Sequence, residues 1–155
     1  MRLPTAAGRF PVAILLPLAL ACGRGAPRPE AVPVDRVNCA RCGMLVSIEA
    51  RSAQWVVPGE ETLFYDDIGC LATDSRRKRA EGGTRFVHVS GGRWAPAETA
   101  FYARPPDEST PMGYGVVAYA SRAEAAGHDR QGKARTWEDL LRELAAERPG
   151  SGVSP

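Results

Sequence analysis

The chain has 155 residues, 44% of them apolar and 25% charged, the composition of an ordinary globular protein rather than of a disordered one. That length has room for one domain, or for two very small units sharing a core. The formal charge of +2 vanishes once residues 1–21 are set aside: Arg2 and Arg9 go with them, 18 basic residues then face 18 acidic ones, and no case for a nucleic-acid partner is left.

Residues 1–21 are set aside because they read as a signal peptide. Met1 to Arg9 carries two arginines and no acid, and Phe10 to Ala21 (FPVAILLPLALA) is an apolar run. It is shorter than the roughly 20 residues that span a bilayer, but it suits a secretory h-region. The run ends in Ala19-Leu20-Ala21-Cys22, small residues before a cysteine, as bacterial lipoprotein processing requires. Ala19 stands where that signal favours Leu. Cys22 is therefore the expected lipid attachment site, and an ordinary secretory peptide with a free Cys22 thiol is the plainer alternative. The expectation is a periplasmic or cell-surface lipoprotein held to the membrane by its anchor. Residues 22–36, rich in Gly, Pro and Arg, form its flexible tether.

A folded domain is expected over 37–148, with 149–155 a disordered tail. Met44–Ala50 and Gln54–Val57 are strand-like, Pro58-Gly59 turns the chain, and Glu61–Tyr65 is a third strand. Asp66 or Asp67 can cap a helix running through Cys70 to about Ala80, closed by Gly82-Gly83. Thr84–Ser90 alternates as a strand and Gly91-Gly92 turns into Arg93-Trp94. Ala97–Ala103 suggests a short helix before an acidic, proline-rich loop, and Val116–Ala120 a strand. Ser121 and Glu124 form a capping box for another short helix. Thr136 caps a last helix, Trp137–Glu147, whose apolar face is Trp137, Leu140, Leu141 and Leu144. The class is α+β. A strand followed by a capped helix occurs at ETLFYDDIGCLA and again at GVVAYASRAEAA, which suggests an internal repeat.

Cysteine arithmetic points to chemistry. With Cys22 acylated, Cys39, Cys42 and Cys70 are left, and three thiols cannot all pair within one chain. Cys39 and Cys42 bring two sulfurs within reach of one ion, Gly43 allows a tight turn, and Met44 adds a thioether. Met112 lies in a second loop, Pro111-Met112-Gly113-Tyr114-Gly115, a setting unlike that of core filler. Such soft donors select Cu(I), whereas structural zinc wants four Cys or His ligands. Against this stand simpler readings. For Cys39 and Cys42 that reading is a plain disulfide, the common state of such pairs outside the cytoplasm. Met44 can be the first core residue of its strand, Cys70 a small buried thiol, His88 an exposed strand residue. His128, in a polar loop, carries little information. No Ser-His-Asp order, phosphate loop or HExxH motif supports a hydrolase or nucleotide enzyme.

The ordered set Cys42-Gly43-Met44, Phe64-Tyr65-Asp66-Asp67-Ile68-Gly69-Cys70-Leu71 and Pro111-Met112-Gly113-Tyr114-Gly115 resembles the NosL family of copper lipoproteins associated with nitrous oxide reductase. The resemblance covers roughly residues 36 to 145. It implies two small ββαβ-like units packed together, similar to those of organomercurial lyase. It implies a monomeric Cu(I) metallochaperone, not an enzyme, that delivers copper for maturation of a copper enzyme, with nitrous oxide reductase as the expected client. Carried over by motif, the ligands are Cys42, Met44 and Met112, with Cys39 matching members that have a second cysteine; Cys70 and His88 are possible further ligands. The alternative from another class is a periplasmic thiol–disulfide oxidoreductase using Cys39 and Cys42. A mercury-lyase-like enzyme rests on fold analogy alone, and an inert Cys39–Cys42 bridge in a structural lipoprotein is the simplest alternative.

Overall fold

The computed structural model describes residues 26–77 and 82–147. The signal segment, Cys22 and the tail from 148 lie outside the described residues. Short apolar runs make six strands: β1 (Ala53–Val56), β2 (Leu63–Tyr65), β3 (Thr84–Val89), β4 (Arg93–Pro96), β5 (Phe101–Ala103) and β6 (Val117–Tyr119). Three helices accompany them: α1 (Ile68–Arg77), α2 (Arg122–His128) and α3 (Trp137–Ala146). No described helix is long and apolar enough to cross a membrane.

All six strands join one mixed sheet, in the order β2-β1-β3-β6-β5 with β4 paired to β3. Its connectivity contains the expected repeat. In the first unit β1 is central, pairing antiparallel with β2 and with β3, and α1 connects those two neighbours. In the second, β5 is central, pairing antiparallel with β6 and bridging Arg135 through Tyr102, and α2 lies between those two in sequence. Each unit is thus ββαβ, the last strand of the second reduced to a bridge. The units meet where β3 and β6 pair in parallel, Val89 opposite Ala118.

The pleat sorts side chains to two faces. Ala53, Trp55, Val87, Val89, Tyr102 and Ala118 join one core with Ile68 and Leu71 of α1 and Trp137, Leu140 and Leu144 of α3. Ala103, Val117 and Tyr119 point the other way, onto Ala125 of α2. Local chemistry explains the helix ends. Thr136 and Asp139 form a reciprocal capping box on α3, and the Ser121 side chain accepts the N–H of Glu124 in α2. Before α1 it is Asp67 that caps, its Oδ1 accepting the N–H of Gly69 at 2.8 Å.

Three expectations need correction. Met44–Ala50 is not a strand: its one ladder contact is the bridge between Asn38 and Leu45, and Glu49–Arg51 is a 3-10 turn. Ala97–Ala103 is not a helix but a 3-10 turn, Ala97–Thr99, running into β5. Phe101 and Ala103 face α2 while Tyr102 faces the main core, a period of two that the surrounding alanines disguise. Nor is the tether free to residue 36. Gln54 in β1 exchanges two hydrogen bonds with the backbone of Glu30, and Thr62 donates to the Glu30 carboxylate. A buried glutamine needs such partners, so the chain is tied to the fold from Glu30, ahead of the expected start at residue 37.

Candidate metal centre

The first part of the site is a hairpin-like loop. The N–H of Cys39 donates to the carbonyl of Met44 at 2.7 Å, and that of Gly43 to the carbonyl of Cys39 at 2.9 Å. Gly43 has φ +76°, a left-handed conformation that explains the glycine. The loop is tied to β2, where the N–H of Ala40 donates to the carbonyl of Phe64 at 2.8 Å. Just beyond it, Asp66 Oδ1 accepts from the N–H and hydroxyl of Ser47 at 2.8 and 3.2 Å. These contacts leave Cys42 exposed at the loop tip and turn Cys39 inward.

Cys70, in the first turn of α1, closes the cluster from below. The sulfurs of Cys39, Cys42 and Cys70 all lie within 4.8 Å of one another, and all three are free thiols. Sulfurs bound about 2.3 Å from a central ion stand about 4 Å apart, so small side-chain shifts suffice to enclose one. Met112 supplies a fourth sulfur, its Sδ 3.9 Å from the Cys42 Sγ.

The loop bearing Met112 is fastened to the same end of α1. Asp67 Oδ2 accepts from the Thr110 hydroxyl at 2.6 Å and from the Met112 N–H at 3.1 Å. The Thr110 oxygen in turn accepts the N–H of Gly115 at 3.0 Å. Tyr114 lies against Gly69 so closely that a Cβ there would be 2.1 Å from its Cγ. Adjacent carboxylates therefore do separate jobs, Asp66 holding the cysteine loop and Asp67 the methionine loop.

Electrostatics divides the thiols. Cys39 is held well below the usual thiol range, chiefly because the Cys70 thiol hydrogen-bonds to it; burial opposes this, and the backbone N–H groups of Asp66, Cys42 and Arg41 add to it. Cys70, as the donor in that pair and itself buried, is pushed far up. Cys42 is also raised, first by desolvation and then by the neighbouring Cys39. Within the cluster, Cys39 is thus the thiol that ionises most readily, and Cys42 and Cys70 hold their protons more firmly than free thiols. Asp67 is raised as well: its burial outweighs the bonds from Thr110, Gly69 and Met112, and the charge of Asp66 adds to the effect.

The structure brings together Cys39, Cys42, Cys70 and Met112. Met44 acts there through its backbone: its carbonyl accepts from Cys39, and its N–H favours the ionised form of Cys42. Its side chain is 55% exposed, which excludes the core reading. His88 is buried rather than exposed, but it is not among the site donors. It alternates with Val87 and Val89 and so lies on the opposite face of the sheet. There it packs edge-on to Trp94 and lines a separate cleft with Arg51, Glu108, Tyr119 and His128. Neither Asp66, Asp67 nor Thr110 was visible to motif reasoning as a site residue. The two acids stood in the sequence as a helix cap and as part of the Phe64–Leu71 motif, with no site role attached, and Thr110 carried no signal. The oxidoreductase alternative lacks the helix N-terminus of thioredoxin-like sites, although the Cys39 thiol is lowered as a reactive thiol's is. No helix starts at Cys39 or Cys42, and the thiol that does sit in a first helical turn, Cys70, has its pKa raised rather than lowered.

Fold and donor set together define a small α+β protein that gathers three thiols and a thioether at one end of a helix, an arrangement suited to a soft metal ion. No family model matches the sequence, and no curated protein matches it. Among solved structures, the crystal structure of the copper chaperone NosL from Shewanella denitrificans superimposes with a TM-score of 0.58. The match covers 73% of this chain and 96% of that one at 14% identity. The likeness is one of fold: this chain has the NosL-like architecture.

Proposed function

We propose that this protein is a Cu(I) metallochaperone, binding the ion through Cys42, Cys39, Cys70 and Met112, with the exposed thioether of Met44 at the mouth. The observation that carries this reading is the cluster of three free thiols within 4.8 Å, with Met112 Sδ 3.9 Å from Cys42. An all-sulfur set that includes a thioether favours Cu(I) over harder ions, and the neighbouring fold is that of a copper chaperone. Cys42 and Met112 form the open side and Cys39 and Cys70 the buried one. Copper enters past Cys42, displacing the protons of Cys42 and Cys70, and leaves as an acceptor's ligands replace the outer sulfurs first. No step needs a bond of the client to be broken, and the protein acts as a carrier rather than an enzyme.

The finer reading is a monomeric lipoprotein, anchored through Cys22 on the periplasmic or cell-surface side, with nitrous oxide reductase as client. Anaerobic titration against a chromophoric Cu(I) chelator tests the carrier, with one Cu(I) per protein and an all-sulfur shell by X-ray absorption as the expected result. Failure to compete, or a shell dominated by nitrogen and oxygen, overturns it. Transfer to copper-free nitrous oxide reductase tests the client. Palmitate labelling that is lost in Cys22→Ser tests the anchor.

A further inference from the structure

The contacts that hold Met112 bear on which metal the site takes, an inference that rests on the copper reading above. Three thiolates are also a good set for Zn(II), which accepts a water or another hard donor as its fourth ligand; a thioether adds much for a soft monovalent ion and little for Zn(II). Selectivity therefore depends on Met112 being present at the cluster. Nothing in the cysteine loop guarantees that, because Met112 lies 70 positions beyond Cys42 on a different loop.

What places it is a buried relay. The Thr110 hydroxyl donates to Asp67 Oδ2 at 2.6 Å while its oxygen accepts from the Gly115 N–H at 3.0 Å. The Gly113 N–H donates to the Thr110 carbonyl at 2.9 Å, and the Met112 N–H donates to the same Asp67 oxygen. Thr110 is 5% exposed. One hydroxyl thus spans the neck of the loop whose tip carries the thioether. The three cysteines do not depend on it: Cys39 and Cys42 are fixed by Met44, Phe64 and the Asp66–Ser47 contact, and Cys70 by α1, whose cap uses the other oxygen of Asp67.

We propose that Thr110 is a specificity-determining positioning residue, whose bridge between Asp67 and Gly115 holds the Met112 thioether at the thiol cluster and so favours Cu(I) over Zn(II). Thr110→Val keeps the shape but removes both hydrogen bonds. Outer partners of metal ligands are worth about 10–100-fold in affinity, so Thr110→Val should lose about tenfold in Cu(I) affinity, no more than Met112→Ala loses, while its Zn(II) affinity stays within about twofold. Thr110→Ser, which retains the hydroxyl, should match the wild type for both ions.

The assay is paired competition, Cu(I) against a chromophoric Cu(I) chelator and Zn(II) against a chromophoric zinc chelator, on the same apo protein. If Thr110→Val does not fold, Tyr114→Ala releases the loop's other anchor at a partly exposed site and should show the same one-sided loss. Parallel losses for both ions in the variant used, or none for either, overturn the proposal. So does a Thr110→Ser protein that behaves like Thr110→Val. A wild-type protein that fails to bind Cu(I) defeats the chaperone reading itself, a different result from a normal wild type with an unchanged selectivity ratio.

Discussion

Gly69→Ala is the sharpest probe of how the two halves of the site are joined. A Cβ at residue 69 would sit 2.1 Å from Cγ of Tyr114 and 2.4 Å from both Cδ atoms. Carbon atoms pack at about 3.5–4.0 Å, so the ring must retreat by about 1.5 Å. It cannot do so by spinning about its own axis, since Cγ lies on that axis. Tyr114 must instead swing as a whole or move its backbone, which is held between Gly113 and Gly115 at φ +71° and +63°. Forced overpacking of this kind costs about 1–3 kcal/mol, equivalent to about 3–10 °C in melting temperature for a domain of this size. The same movement draws Met112 away from Cys42. A double-mutant cycle isolates the cause: with Tyr114→Ala in the background the clash has no partner, and Gly69→Ala should then cost almost nothing. Thermal melts of the apo proteins read it directly. A Gly69→Ala protein melting within a degree of wild type, or an undiminished penalty in the Tyr114→Ala background, would refute the reasoning.

The thiol electrostatics predict a pH profile. Cys39 is depressed and already ionised at neutrality, while Cys42 and Cys70 are raised and still protonated. Cu(I) binding should therefore expel up to two protons and tighten with pH, by up to about 100-fold per unit through pH 6–8; a flat competition profile contradicts this. Away from the site, Asp129 is held well below the usual carboxylate range. Burial opposes its ionisation, but the N–H groups of Arg104, Gln131 and Lys133 and the Arg135 guanidinium outweigh it. Its contribution is complete above the unfolded carboxylate pKa of about 3.9 and is lost as pH falls below that. Denaturant melts should show Asp129→Asn less stable than wild type at pH 7 and the gap narrowing toward pH 2; a gap independent of pH contradicts the assignment.

Much of the fold was legible because its signals are local. Thr136 with Asp139 and Ser121 with Glu124 write helix starts into adjacent residues, and Thr84–Val89 shows its strand period plainly. The failures occurred where a tertiary partner overrode the local pattern. MLVSIEA has the composition of a strand, yet Ser47 is taken by Asp66 and only Leu45 finds a bridge partner. AETAFYA has the alanine content of a helix, yet Tyr102 pairs with Ala118 and Arg135 and is drawn into the sheet. At the site, spacing marked Cys39 and Cys42, while Met112 stood out by its proline- and glycine-rich loop and by the motif resemblance. Cys70 was less visible because its role depends on α1 beginning beside the cysteine loop, where its sulfur lies within 4.8 Å of those of Cys39 and Cys42. His88 suggested a ligand only until the alternation of β3 placed it on the other face.

The joining of the site comes down to one dipeptide. Cys42 and Met112 are remote in sequence, so their separation could have been left to the slack of two loops. Instead each loop is hydrogen-bonded to one of two consecutive carboxylates, the first holding Ser47 and the second Thr110 and Met112. A single peptide unit at the start of α1 then fixes the distance between them, and the first turn of the same helix delivers Cys70. That arrangement has an electrostatic penalty, for Asp66 and Asp67 are both buried and Asp67 resists ionisation as a result. The compensation is geometric. Every donor is referenced to the rigid first turn of one helix, so a cluster drawn from three separate segments is organised before any ion arrives.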